Sequence, residues 1–205
     1  MGFKERLTKE WLFWDGGTGS VLQSWGLQAG ELPETWNINH PEKIIELNKG
    51  YLEAGCDIIN TNTFGANRLK YPDNLEEIVT KAVEHAKKAR ELTGRTDALI
   101  SLDLGPTGKL LEPLGDLSFD DAVDIYAEVI EYGTKAGADV ILIETMQDSY
   151  ELKAAVLAAK EHSHLPVCAT VVFDEKGKML TGGTPESVVA LLEGLHIDAL
   201  GINCS

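Results

Sequence analysis

One unit recurs along the chain: a helix ends at glycine, an aspartate turns the backbone, and a β-branched run begins. It is plainest in Glu53-Ala54-Gly55-Cys56-Asp57-Ile58-Ile59 and in Lys135-Ala136-Gly137-Ala138-Asp139-Val140-Ile141. Gly94-Arg95-Thr96-Asp97-Ala98-Leu99-Ile100 and Leu195-His196-Ile197-Asp198-Ala199-Leu200-Gly201 repeat it more loosely. Glycine suits the left-handed residue that closes a helix, and the short apolar runs that follow read as buried strands. Strands alternating with helices pair in parallel through crossover connections. That leaves two architectures: a barrel of βα units, or an open doubly wound sheet.

Six strands are predicted near 11–15, 57–63, 98–103, 139–145, 166–173 and 199–204, with helices over 41–54, 75–93, 118–136, 148–163 and 184–195. Asp148 and Thr184 are placed as N-caps, and Pro41 and Pro185 suit a first helical turn. Ser118 precedes Asp120 and Asp121, which favour a helix N-terminus through the dipole. Successive strands start roughly 35–45 residues apart, with a shorter step near the end, close to the beat of a (β/α)8 barrel. A doubly wound sheet would show a phosphate-binding glycine signature after its first strand. Asp15-Gly16-Gly17-Thr18-Gly19-Ser20 is glycine-rich but is not G-x-G-x-x-G, and no Walker lysine follows it. The expected fold class is α/β, a TIM barrel of which about six βα units lie in one domain over 1–205, incomplete at its C-terminus.

The net charge of -15 argues against a nucleic-acid groove or an anionic membrane surface as partner. No apolar run reaches the length of a membrane span, and Met1-Gly2-Phe3-Lys4-Glu5-Arg6 lacks the apolar middle of a signal peptide. Three widely spaced cysteines make no disulfide framework, so a reducing cytoplasm is the expected compartment.

Polar groups gather at the strand ends, where a barrel carries its active site. Asp15 follows the apolar run Trp11-Leu12-Phe13-Trp14 and precedes two glycines that let backbone approach a ligand. A carboxylate there could hold an ammonium group, although for an isolated Asp-Gly-Gly a turn aspartate bonding its own backbone is favoured. Asn60-Thr61-Asn62-Thr63 closes the second strand; alternation sends at most half of these side chains toward a common site. Glu144, after Val140-Ile141-Leu142-Ile143, needs a partner or a raised pKa, and ligand binding and a loop salt bridge fit it equally. Cys204, at the tip of Leu200-Gly201-Ile202-Asn203, has the best claim among the thiols to a metal, whereas Cys56 and Cys168 read as small buried hydrophobes. The five histidines are scattered, and none is assigned to catalysis.

Taken in order, Asp15-Gly16-Gly17-Thr18-Gly19, Thr61-Asn62-Thr63-Phe64-Gly65-Ala66, Asp103-Leu104-Gly105-Pro106-Thr107-Gly108, Glu144-Thr145, Phe173-Asp174-Glu175-Lys176-Gly177 and Gly201-Ile202-Asn203-Cys204-Ser205 form a pattern. It resembles the homocysteine S-methyltransferase family, most of all the homocysteine-binding module of the cobalamin-dependent methionine synthases. The resemblance implies a (β/α)8 barrel that transfers a methyl group to homocysteine, giving methionine. It further implies a zinc ion held by three cysteine thiolates, with the homocysteine sulfur as fourth ligand and deprotonated by the metal. Cys204 matches the first thiolate, while the adjacent Cys-Cys pair expected at the end of strand eight does not occur in this sequence. Asp15 and Glu144 match the positions that hold the amino group, Gly16 the glycine whose backbone lies against the substrate, and Thr63 and Asn203 line the site. Relatives use methylcobalamin, S-methylmethionine, S-adenosylmethionine or betaine as donor; the likeness to methionine synthase favours methylcobalamin, presented by downstream folate- and cobalamin-binding modules or a separate corrinoid protein. With one thiolate of three, this chain alone is expected to bind zinc weakly and to be inactive. Two other readings stay open: a metal-free barrel enzyme using Asp15 and Glu144 as acid and base, such as an aldolase or hydrolase, and a non-catalytic binding or assembly fragment.

Overall fold

The computed structural model describes residues 2–205. Five strands, β1 (Ile58–Asn60), β2 (Leu99–Leu104), β3 (Val140–Met146), β4 (Val167–Val171) and β5 (Ala199–Ile202), form one parallel sheet in chain order. Of the six predicted strands, the one at 11–15 does not form. Only Trp14 pairs, in a parallel bridge to Ile58, fixed by Asp15 N–H to Ile58 O (3.0 Å) and Asp57 N–H to Phe13 O (2.8 Å). Among the described residues the segment has β1 on one side and no strand on the other, so its ladder stops at one bridge. The strand predicted over 57–63 is also shorter, because Thr63 N–H turns back onto Thr61 O (2.8 Å).

The order decides the architecture. The Trp14 bridge precedes β1 and each later strand adds on the same side, so the sheet never reverses direction as a doubly wound sheet must. It is an α/β fold consistent with part of a TIM barrel. The β5 edge and the Trp14 segment are not joined to each other by any strand pairing among the described residues.

Before β1 come α1 (Phe3–Leu7), α2 (Thr18–Ser24), α3 (Trp36–Asn39) and α4 (Pro41–Glu53). Four long helices then make the crossovers: α5 (Leu75–Thr93), α6 (Phe119–Ala136), α7 (Ser149–His162) and α8 (Pro185–Gly194). Their ends follow from local chemistry. Ser118 caps α6 by accepting from Asp121 N–H (3.1 Å), Asp148 caps α7, and Thr184 forms a reciprocal capping box with Ser187 on α8. Gly94 and Gly137 close α5 and α6 in the left-handed conformation. None of the described helices is long and apolar enough to cross a membrane.

Alternation along the strands separates the sheet's two faces. Leu102, Leu104, Ile141, Ile143, Val167 and Ala169 point to the helices and build the main core. Ile58, Leu99, Val140, Leu142 and Cys168 point to the opposite, inner face. Phe3 of α1 joins that inner cluster, and Arg6 anchors the helix to Asp57 (2.8 Å) and to the carbonyl of Asp97 (2.9 Å). With α1 packed against the N-terminal ends of the strands, the inner face opens at their C-terminal ends.

Candidate active site at the strand tips

The same alternation carries polar side chains to that opening. Along β3 the inward residues run Val140, Leu142, Glu144; along β2 they run Leu99, Ser101, Asp103; beyond β5 they end at Asn203. An open cavity of about 550 Å³ lies there, lined by Asp15, Gly16, Asp103, Glu144, Asn203 and Cys204 among others. A second cavity of about 320 Å³ shares Asp15, Glu144 and Asn203 and continues down the inner face to Leu142 and Cys168.

Asp15 accepts the Asn60 N–H on Oδ2 (2.7 Å), while Oδ1 is buried without a partner. Burial, and then repulsion from Glu144, push this carboxyl up to about 7. Glu144 accepts the Asn203 amide on Oε2 (2.9 Å) and is itself raised by burial. Asn203 uses both ends of its side chain. Its Oδ1 accepts from Thr145 N–H (3.1 Å) and the Thr170 hydroxyl (3.0 Å), and its Nδ2 donates to Glu144 and to Thr145 Oγ1 (2.8 Å). A side chain bonded on both ends cannot rotate without breaking several contacts, so Asn203 fixes the direction of Glu144. Thr145 follows with φ +60°, a left-handed residue that turns the chain immediately after the carboxylate.

Cys204 is exposed at the lip of the cavity with φ +51°, its Sγ 3.7 Å from Asn203 Nδ2. Cys168 is buried on the inner face, where burial drives its thiol up to about 12, in keeping with a small apolar residue. Gly16 lines the cavity, and a Cβ there would lie 3.1 Å from the Tyr51 hydroxyl. Thr63 is placed differently from the sequence expectation. It is fully buried, its hydroxyl donates to the Asp103 carbonyl (2.8 Å) and meets the Thr61 hydroxyl (2.7 Å), so it braces β1 against β2 instead of lining the cavity.

Two carboxyls escape the sequence reading. Asp103 is the last inward residue of β2, as Glu144 follows the apolar part of β3, and the alternation of Leu99, Ser101 and Asp103 is the signal that could have found it. Glu34 is held by Gly65 N–H (2.5 Å) and the Tyr71 hydroxyl (2.8 Å), partners more than thirty residues away that no local pattern announces. A zinc site needs three or four ligands. Among the described residues no group of three or more His, Cys, Asp or Glu could hold a metal ion, and Cys204 is the only thiol at the cavity lip. These residues therefore do not make such a site by themselves.

The family model for homocysteine S-methyltransferase matches residues 12–205. The methionine synthase of Mycobacterium tuberculosis is 31% identical over 209 residues, covering 93% of this chain and 17% of that protein. The methionine synthase of Mycobacterium leprae is 30% identical over 221 residues, covering 98% of this chain and 18% of its own length. The chain thus spans less than a fifth of these relatives. Among solved structures, the metallated form of the homocysteine methyltransferase MmuM from Escherichia coli superposes with a TM-score of 0.83 at 23% identity, over 97% of this chain and 76% of that one. Its apo form gives 0.78 at 24% identity, over 97% and 74%; at such identities the likeness speaks for the fold. On the match over residues 12–205, this chain belongs to the homocysteine S-methyltransferase family.

Proposed function

We propose that the cavity at the strand tips receives homocysteine and presents its sulfur to a methyl donor, forming methionine. The observation that carries this reading is that Asp15, Asp103 and Glu144 line one cavity and, among the described residues, none of them forms a salt bridge, Lys70 being the one lysine in that lining. The charged neighbours acting on Asp15 and Asp103 are all carboxylates, and Glu144 is raised by burial. Buried carboxylates without a positive partner are costly, and an α-ammonium group supplies the missing charge. In this reading Asp15 and Glu144 hold the ammonium, Asn203 keeps Glu144 aimed, and the backbone at Gly16 lies along the amino acid. Held by its amine, the substrate lays its sulfur toward the lip at Cys204, and orientation of this kind lowers the barrier by removing rotational freedom beforehand.

Cys204 is the one zinc ligand assigned to this chain; the other two thiolates expected for the family are not among its residues. A closed (β/α)8 barrel requires further strands between the β5 and Trp14 edges. Methylcobalamin, brought by folate- and cobalamin-binding modules or a separate corrinoid protein, is the donor we assign, and the cytoplasm the compartment, in line with three unpaired cysteines.

The test is ligand-linked stability. Homocysteine should raise the melting temperature of the 205-residue protein by mass action, whereas its absence of effect at millimolar concentration sinks the proposal. Zinc content and turnover are measured on the same sample, and we expect substoichiometric zinc and no methionine. The metal-free acid–base alternative draws on Asp15, whose carboxyl near 7 could exchange a proton. Cys204→Ser separates the two: acid–base activity survives it, and a zinc-dependent methyl transfer in the completed site does not.

A further inference from the structure

Asp103 is 6% exposed, it lines the cavity beside Asp15 and Glu144, and its Oδ1 has no partner. Its backbone is held from both directions. The N–H donates to Thr61 Oγ1 (3.3 Å) and the carbonyl accepts from Thr63 Oγ1 (2.8 Å), so the side chain is presented from a fixed point. Asp103 and Glu144 line the same cavity, and burial followed by the charge of Glu144 raises the Asp103 carboxyl. We propose that Asp103 is the third carboxyl of the amine subsite: its unpartnered Oδ1 accepts an N–H of an incoming primary ammonium, and a proton held by the empty acid cluster leaves to solvent as the cation enters. This rests on the reading of Asp15 and Glu144 as the amine anchor and extends it.

The chemistry of the ligand follows from the count. A primary ammonium carries three N–H groups, and Asp15 after the Trp14 bridge, Asp103 on β2 and Glu144 on β3 supply three acceptors from three segments. The alternative occupant, a bare metal ion, is disfavoured because no three such groups converge tightly enough to hold one among the described residues. The charged groups around Asp103 are Asp15, Glu34 and Glu144, with Lys70 also lining the cavity. Burial and the three acids raise the Asp103 carboxyl well above its ordinary range, which favours its neutral form while the site holds no cation. The site would therefore select a protonated primary amine over an equally shaped thiol acid without one.

The experiment is calorimetric titration of the 205-residue protein, kept metal-free by chelator, with homocysteine and with 4-sulfanylbutanoate, the same thiol acid without the amine. The unaltered protein should prefer homocysteine. Asp103→Asn should weaken homocysteine about tenfold, as expected for a lost hydrogen bond to a charged group, and leave 4-sulfanylbutanoate within about twofold. Titration in buffers of different ionisation enthalpy should show about one proton fewer released in the variant than in the unaltered protein. Asp103→Ser, which removes the carboxyl without adding an amide donor, should reproduce the pattern. Equal weakening of both ligands would assign Asp103 to the scaffold and overturn the proposal, as would unchanged homocysteine affinity in either variant. If the unaltered protein does not distinguish the two ligands, the amine anchor of Asp15 and Glu144 falls first, and Asp103 falls with it.

Discussion

Replacing Asp15 by asparagine should stabilise the protein, and by an amount that depends on pH. In the folded chain this carboxyl is raised from 3.8 to about 7, chiefly by burial and then by Glu144. The folded state therefore keeps a proton that the unfolded chain has released, and between those two values it binds more protons than the unfolded chain does. Stability from this group is greatest below about pH 4, falls as the pH rises toward 7, and is level above that. At about 1.4 kcal/mol per pH unit the full penalty is on the order of 4 kcal/mol, an upper bound for a side chain at a cavity mouth. The substituted asparagine would still accept the Asn60 N–H through its amide oxygen and carries no charge to desolvate. Urea unfolding of both proteins at pH 5 and pH 8 isolates the effect, because Asp103 and Glu144 titrate in both and largely cancel. The stability gap in favour of Asp15→Asn should widen by about 2–3 kcal/mol from pH 5 to pH 8. A gap that stays constant within about 0.5 kcal/mol, or that narrows, would refute the claim that this carboxyl is desolvated without a cationic partner.

Asn203→Ala removes the donor to Glu144 and the acceptor for Thr145 N–H, and should lower stability by about 1–3 kcal/mol while weakening homocysteine in the same titration; full retention of homocysteine affinity would show that Glu144 needs no brace. Gly133→Ala would put a Cβ 2.5 Å from both Leu102 methyl carbons where α6 crosses β2. It should cost about 1–3 kcal/mol in urea unfolding with no change in ligand preference, and a neutral result would mean that the helix shifts freely on the sheet.

What is legible in the sequence is local. The helix over 75–93 has a readable end because Gly94 takes the left-handed closing conformation, and the helices after Ser118, Asp148 and Thr184 have readable starts because those side chains bond the first free N–H groups. The strands after Asp57, Asp97, Asp139 and Asp198 follow from one repeated helix-to-strand corner. The segment at 11–15 misleads because an apolar run makes a strand only where a neighbour accepts its ladder, and Trp14 alone has one. Thr63 misleads because the Asn60-Thr61-Asn62-Thr63 run stops alternating at the turn onto Thr61, where side-chain hydroxyls compete with the ladder. Glu34 and its partners lie far apart in the chain, and such pairings are set by the fold.

The parity of the strands ties the core and the cavity to one constraint. Val140, Leu142 and Glu144 share a face, as do Leu99, Ser101 and Asp103, and as do Ala199, Gly201 and Asn203. Slipping any strand by one residue would turn its carboxyl or amide toward the helices and its apolar partners with it, so register is held by the buried lower half while the tips remain free to carry chemistry. The tips then hold groups that work against folding: three carboxyls in a cavity, none in a salt bridge among the described residues, with hydrogen bonds from Asn60 to Asp15 and from Asn203 to Glu144. A fold selected for stability alone would neutralise such a cluster, and one asparagine or lysine would suffice. Its place at the open end of the sheet, where a ligand can enter and α1 blocks the other end, fits a surface shaped to receive a positive charge from outside the chain.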